Sequence, residues 1–319
     1  MKLTFLILIT SLISGQALCR TLTFPFMGRM FNLTMPEKVS SNNPRPLLVL
    51  LHGCKQNPHV ILEGSRLKEA AIKNNFFVLT PEQSLMFNSD HCWNWFLSSQ
   101  QDRGVVVNEM GQIMTTVEML MATYKIDRSK IFVAGMSAGG AMAHNLAACY
   151  PDYFTGAAIH SGLAYKVAES LEEATTVLTI PEQKSPEYLG KQAFKCGRNH
   201  GSAKISRFLI IHGSEDKRVL PVHADLISRT NEVWWDYMDD GKRNSSTRVQ
   251  STRSQFAFIS NYTVTRTERR YPFNNMIEQK LIINGMGHAW GGGKPVTVNF
   301  DPKAPSSTDI ILNFFQLQQ

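Results

Sequence analysis

Three observations predict an α/β fold built on a mostly parallel central sheet with helices on both faces. Continuously apolar runs, of which Leu47–Leu51 is the clearest, fit strands buried on both sides. These runs alternate with helical patterns, the rhythm of β-α-β units that feed a parallel sheet. The chain has 319 residues, with 43% hydrophobic and 18% charged, and that length suits one large domain better than two small ones.

The elements follow in order. Thr21 to Leu33 alternates apolar and polar residues and reads as an edge hairpin, and Ser40–Pro46 is a turn before the Leu47–Leu51 strand. Gly64–Asn74 reads as a helix and Phe76–Thr80 as the next strand, stopped by Pro81. In Glu109–Tyr124, Met110, Ile113, Met114, Val117, Leu120, Met121 and Tyr124 fall on one helical face, so these methionines are core filling. A strand at Ile131–Ala134 runs into a small-residue helix, Ala138–Cys149. Gly156–His160, Arg207–His212 and Leu281–Asn284 complete the strands; Pro221–Met238 and Thr308–Leu317 are the remaining helices. The segments 165–206 and 239–273 are more polar and are expected as lid-like excursions over the sheet edge or walls of a cleft. The whole of 20–319 is read as one catalytic domain.

The net charge is +7, yet the basic residues are scattered. The densest group, Arg266, Arg269 and Arg270, reads as a solvated face. No nucleic-acid motif is present, so no nucleic-acid partner is expected. Residues 1–19 carry one lysine, a short apolar core and small residues, the pattern of a secretory signal peptide. Cleavage is expected after Ala17, with Cys19 as the second choice. The apolar stretch is short for a spanning helix, and no other segment is suited to cross a bilayer, so no stable membrane span is expected after cleavage.

An exported chain meets oxidising conditions, and Cys54, Cys92, Cys149 and Cys196 permit two disulfides by any of three pairings. Asn32-Leu-Thr34, Asn244-Ser-Ser246 and Asn261-Tyr-Thr263 match the glycosylation acceptor pattern.

Ser137 is the most informative residue. It sits in Gly135-Met-Ser-Ala-Gly139, between the strand at Ile131 and the helix at Ala138. A serine on so tight a turn needs very small neighbours, and Gly135, Gly139, Gly140 and Ala141 supply them. A plain tight turn is the alternative reading. A serine hydroxyl is a weak nucleophile and needs a histidine base, itself oriented by a carboxylate. In α/β-hydrolases these follow in the order Ser, acid, His.

His288, flanked by Gly285, Gly287 and Gly291–Gly293 after the last strand, is the expected base. The loop after Arg207–His212 holds two carboxylates, Glu215 and Asp216. Asp216 is preferred because Gly-x-x-Asp followed by Val and Pro fits an exposed loop turning into a helix; either residue could instead cap that helix. Two backbone amides must hold the oxyanion, and those of Ala138 and Cys54, in His52-Gly-Cys-Lys-Gln56, are the expected pair.

His52-Gly-Cys-Lys-Gln56, Cys92-Trp-Asn-Trp-Phe96, Gly135–Met142, Tyr150-Pro-Asp152 with His160-Ser-Gly162, and Gly287-His-Ala-Trp290 occur in one order. Together, from about Leu47 onward, they resemble the polyhydroxybutyrate depolymerase family of esterases, which is similar to the feruloyl and acetylxylan esterases. The resemblance implies an α/β-hydrolase fold, Ser137, Asp216 and His288 as catalytic residues, and an oxyanion loop at Cys54. It implies no metal and no cofactor. It also implies that Cys54 pairs with Cys92, leaving Cys149 with Cys196. Trp93, Trp95 and Trp290 are then expected as substrate-binding cleft walls, with core packing as the alternative. Extracellular depolymerases that attack solid polymer usually carry a linker and a polymer-binding domain. Neither is found here, so small or oligomeric esters are the expected substrates.

The expectation is therefore a secreted (or periplasmic) serine esterase for hydroxyalkanoate esters. A feruloyl or acetylxylan esterase is the alternative. A non-catalytic polymer-binding relative is the alternative of another class, and a peptidase is weaker again.

Overall fold

The computed structural model describes residues 21–37, 43–180, 183–198, 204–244, 250–257, 262–270 and 276–318. The signal-peptide reading at 1–19 and the acceptor at Asn261 lie outside them, as do Ser245 and Ser246 of the Asn244 acceptor. Asn32 lies within a strand, where its Oδ1 accepts from Thr23 at 2.9 Å.

The predicted strands are present: β1 (Thr21–Phe26), β2 (Arg29–Thr34), β3 (Arg45–Leu51), β4 (Phe77–Pro81), β5 (Ile126–Met136), β6 (Gly156–His160), β7 (Arg207–Gly213) and β10 (Met276–Asn284); β8 (Gln250–Ala257) and β9 (Thr263–Arg270) add to them. Among the described residues they form one ten-stranded sheet in the order β1-β2-β4-β3-β5-β6-β7-β10-β9-β8. From β4 to β10 every neighbouring pair is parallel, and an antiparallel hairpin closes each edge.

Alternation in β3 shows how the two faces are made. Leu47, Val49 and Leu51 join the core cluster that includes Met110, Ile113, Met114 and Val117 of α3 (Glu109–Thr123) and all of the apolar side of α4 (Ala138–Cys149). Leu48 and Leu50 join the other cluster, with Ile311, Leu312, Phe314 and Phe315 of α8 (Ser307–Phe315), the helix that follows α7 (Val222–Asp240) in the chain. A strand with both faces covered has no reason to alternate polar residues, hence the unbroken apolar run.

Three expectations are corrected. The helix read over Gly64–Asn74 starts later, as α2 (Leu67–Asn74); Gly64 instead ends a separate helix, α1 (Pro58–Gly64), and Arg66, whose φ is +63°, breaks the chain between them. Gly64 ends α1 against the Phe300 ring, where a Cβ would come within 2.2 Å. Within 239–273, Asp239 and Asp240 end a helix, and the described residues from Gln250 onward extend the sheet as β8 and β9 instead of folding over a cleft. The excursion at 165–206 does contain cleft-lining structure, in α5 (Leu171–Val177), and also holds α6 (Pro186–Arg198). Finally, the arginines of β9 are ion-paired as well as partly solvated: Arg269 reaches Glu232 at 2.5 Å and Glu278 at 3.5 Å, and Arg270 reaches Glu268 at 2.8 Å.

Candidate active site

The C-terminal ends of β3, β5, β7 and β10 bring the predicted residues to one place. Ser137 links β5 to α4 with φ +59° and ψ −123°. This is a conformation that a non-glycine residue adopts only when its surroundings impose it. The imposed fit is visible in the glycines. A Cβ on Gly135 would lie 2.2 Å from the Gly139 carbonyl, and one on Gly139 would lie 2.3 Å from that of Leu51. The Ser137 amide donates to the His160 carbonyl at 2.9 Å, fixing the turn from the neighbouring strand. A serine at a helix start ordinarily caps it through its hydroxyl. Ser137 makes no such cap bond, so its Oγ is free for chemistry.

Asp216 follows β7 and is buried. Its Oδ1 accepts the amides of Arg218 and Val219, both at 2.9 Å. Its Oδ2 accepts from His288 Nδ1 at 2.7 Å, and His212 Nε2, which donates to the Val219 carbonyl, stands 3.3 Å from the same oxygen. Burial alone would push this carboxyl up, but the bonds from His212, His288 and Val219 outweigh it and hold it well below the usual carboxylate range. Asp216 is therefore a charged, saturated acceptor that fixes the imidazole of His288. Glu215, the other carboxylate on the loop, is exposed.

The loop bearing His288 lies tight against β7: a Cβ on Gly213 would come within 2.2 Å of the Met286 carbonyl. Ser137 and His288 line one cavity of about 480 Å³. Gly53, Cys54 and Ala138 line it as well. Among the described residues the amides of Cys54 and Ala138 meet no acceptor in the chain. Two free donors beside the serine are what a developing oxyanion requires.

The Cys54 loop is held from behind. Gly53 N donates to Gln56 Oε1 at 2.9 Å, and Trp93 Nε1 donates to the His52 carbonyl at 3.0 Å. The Gln83 amide donates to His52 Nε2 at 3.0 Å. Burial then holds the His52 imidazole neutral, with its pKa lowered to about 4. Cys54 is bonded to Cys92, and Cys149 at the end of α4 to Cys196 of α6, the pairing that the resemblance implies. Two disulfides mark a chain that matures in an oxidising compartment.

The three tryptophans separate. Trp95 lines the cavity beside Phe96, whose ring it meets edge-on at 5.4 Å. Trp93 and Trp290 do not line it; both are fully buried. Trp93 supports the Cys54 loop, with Arg29 over its ring at 4.9 Å. Trp290 stacks on His160 at 5.1 Å and donates to Thr308 Oγ1 at 3.1 Å. An indole with its N–H satisfied in this way is core material, so these two expectations as substrate-binding walls give way to packing.

Sequence reasoning missed three contributors. His212, near the end of β7 and four residues before the acid, stands 3.3 Å from it, a proximity legible only once the acid loop is known to fold back over that strand. Leu171, Ala174 and Thr175 of α5 form a wall of the cavity. Arg218, two residues past the acid, stands at its edge.

A serine on a strained strand–helix turn, an imidazole in the same cavity and a buried carboxylate on that imidazole are the parts that a serine hydrolase on an α/β-hydrolase fold would need. The chain belongs to the Esterase PHB depolymerase family, whose pattern it matches over residues 30–252. It is 35% identical over 246 residues to poly(3-hydroxyalkanoate) depolymerase C of Paucimonas lemoignei, covering 73% of this chain and 57% of that protein. Feruloyl esterase B of Thermothelomyces thermophilus is 30% identical over 197 residues, 60% of this chain and 65% of that one. The chain thus spans a little over half to two thirds of these curated relatives. A probable acetylxylan esterase A of Aspergillus clavatus is 28% identical across 80% of this chain and 77% of its own. In fold, the chain is similar to an acetyl xylan esterase from Aspergillus awamori, with a TM-score of 0.71, 18% identity, and coverage of 93% and 99% of the two chains.

Proposed function

We propose that this chain is an exported serine esterase that hydrolyses small or oligomeric hydroxyalkanoate esters. One observation carries the reading: Ser137, free of any capping bond, shares a cavity with His288, and His288 is held at 2.7 Å by Asp216. His288 takes the proton of Ser137 Oγ as the oxygen attacks the ester carbonyl, and Asp216 stabilises the imidazolium. The amides of Cys54 and Ala138 hold the oxyanion, each worth about 3 kcal/mol of transition-state stabilisation. The alcohol leaves with the proton from His288. Water, with His288 again as base, then releases the acid from the acyl-enzyme.

The cavity supports an acyl group of moderate size. Trp95, Phe96, Leu163, Leu171 and Val219 make its wall largely apolar. The depolymerase relative, similar over 73% of this chain, favours hydroxyalkanoate esters as the substrate class. The two disulfides and the leader-like residues 1–19 support export. The same aromatic wall and the feruloyl esterase relative favour aromatic acyl esters as the second reading.

Initial rates on hydroxybutyrate oligomers, methyl ferulate and p-nitrophenyl butyrate separate the readings. Oligomers turned over at least as well as ferulate are expected. Ferulate turned over alone would replace the first reading by the second. Ser137→Ala is expected to remove turnover of every active ester.

A further inference from the structure

We infer that Arg218 is a specificity residue: it anchors a free carboxylate on the alcohol half of the ester and so directs hydrolysis to the carboxylate end of oligomers. This rests on the hydroxyalkanoate reading. The Arg218 amide is bonded to Asp216 Oδ1 at 2.9 Å, so its backbone is fixed by the same carboxylate that fixes His288. Its side chain is exposed and lines the cavity that holds Ser137 and His288. Apart from His288, the cavity is lined by two residues with ionisable side chains, Arg218 and Asp90. Asp90 lies 3.9 Å from Lys55 and has a partner for its charge. Arg218 has no ion pair among the described residues, and no hydrogen bond there engages its guanidinium.

A guanidinium beside an otherwise largely apolar cavity is a fork for a planar carboxylate. A hydroxyalkanoate oligomer has one such group, on its last unit. When the last ester is cut, that carboxylate belongs to the leaving hydroxyacid, separated from the ester oxygen by only the carbons of one monomer. An arginine near the reacting serine therefore favours terminal cleavage and release of the monomeric acid.

The test compares the linear 3-hydroxybutyrate dimer as free acid and as methyl ester, with wild type, Arg218→Gln and Arg218→Lys. The wild type should favour the acid by about tenfold in kcat/KM, the discrimination one charge-assisted contact supplies. The preference should reside in KM, collapse in Arg218→Gln, return in part in Arg218→Lys, and shrink near 1 M salt, where screening reaches about 3 Å. Equal rates on the two dimers in wild type, or an acid preference undiminished in Arg218→Gln, would overturn the inference. Should neither dimer be turned over while p-nitrophenyl butyrate is, the substrate reading fails. Inhibition of that assay by 3-hydroxybutyrate then decides Arg218 separately: stronger inhibition of wild type than of Arg218→Gln supports the anchor, and equal inhibition refutes it.

Discussion

His212 and His288 converge on one oxygen of Asp216: Nε2 of His212 lies 3.3 Å and Nδ1 of His288 2.7 Å from Oδ2. His212 Nε2 donates to the Val219 carbonyl at 2.8 Å, so the second histidine pins the acid's own loop. Asp216 thereby faces four donors and has none to offer. In Asp216→Asn the amide would turn an N–H toward a donor and release His288 from its orientation. We predict a loss in kcat on the order of 10⁴-fold with little change in KM. Glu215→Gln, on the exposed neighbour, should stay within twofold or so of wild type. Steady-state kinetics on p-nitrophenyl butyrate check both, and a deeper loss in Glu215→Gln would reverse the assignment.

His212→Gln tests the second contact. It removes the bond that pins the acid loop and a polar neighbour of the charged carboxylate, together worth about 1.5 kcal/mol, and so should cost about tenfold in kcat. A variant with unchanged kcat and a lowered melting temperature would make His212 a purely structural residue.

The Cys54–Cys92 bond closes a 38-residue separation and holds the Cys54 loop against the Trp93 segment, whereas Cys149–Cys196 spans 47 residues and ties α4 to α6. By loop entropy each should contribute about 4 kcal/mol. Their effects on activity should differ. The pair Cys54→Ala with Cys92→Ala is expected to lower kcat in the folded protein, because that loop carries one of the two proposed oxyanion donors. The pair Cys149→Ala with Cys196→Ala should lower the melting temperature with kcat retained. Equal kcat in the two double variants would refute the separation.

Acid should destabilise the fold through its buried histidines. His52, His144 and His223 have pKa values lowered to about 4, and His160 to about 3, mainly by burial. Unfolded, each binds a proton near 6.5. The folded values are depressed, so the neutral form is the native one. Stability is full above about 6.5 and is lost as pH falls toward 4, by up to about 1.4 kcal/mol per pH unit for each histidine. Melting temperatures measured from pH 7.5 down to about 4.5 should fall steeply. A flat profile would mean that these imidazoles charge within the fold.

Much of this was legible in the sequence, and the reasons differ by residue. The unbroken Leu47–Leu51 run and the glycines around Ser137 are direct imprints of two-sided burial and of an elbow with no room for a Cβ. The order Ser137, Asp216, His288 follows from which strand each residue ends. β8 and β9 were missed because their residues sit at the sheet's edge, where side chains need not be apolar. Trp93 and Trp290 were misplaced because an indole between small residues reads the same in a cleft or a core; only the partners of their N–H groups decide it. His212 and Arg218 take their places through the fold of the acid loop, which no spacing pattern announces.

The central claim is that Ser137 is a nucleophile activated by His288. Labelling with a fluorophosphonate, read by intact mass and by the modified peptide, tests it most directly. One adduct per chain on the peptide holding Ser137 is expected in wild type, with none in Ser137→Ala and greatly slowed labelling in His288→Ala. Labelling at another residue, or wild-type labelling and turnover in Ser137→Ala, would contradict the account.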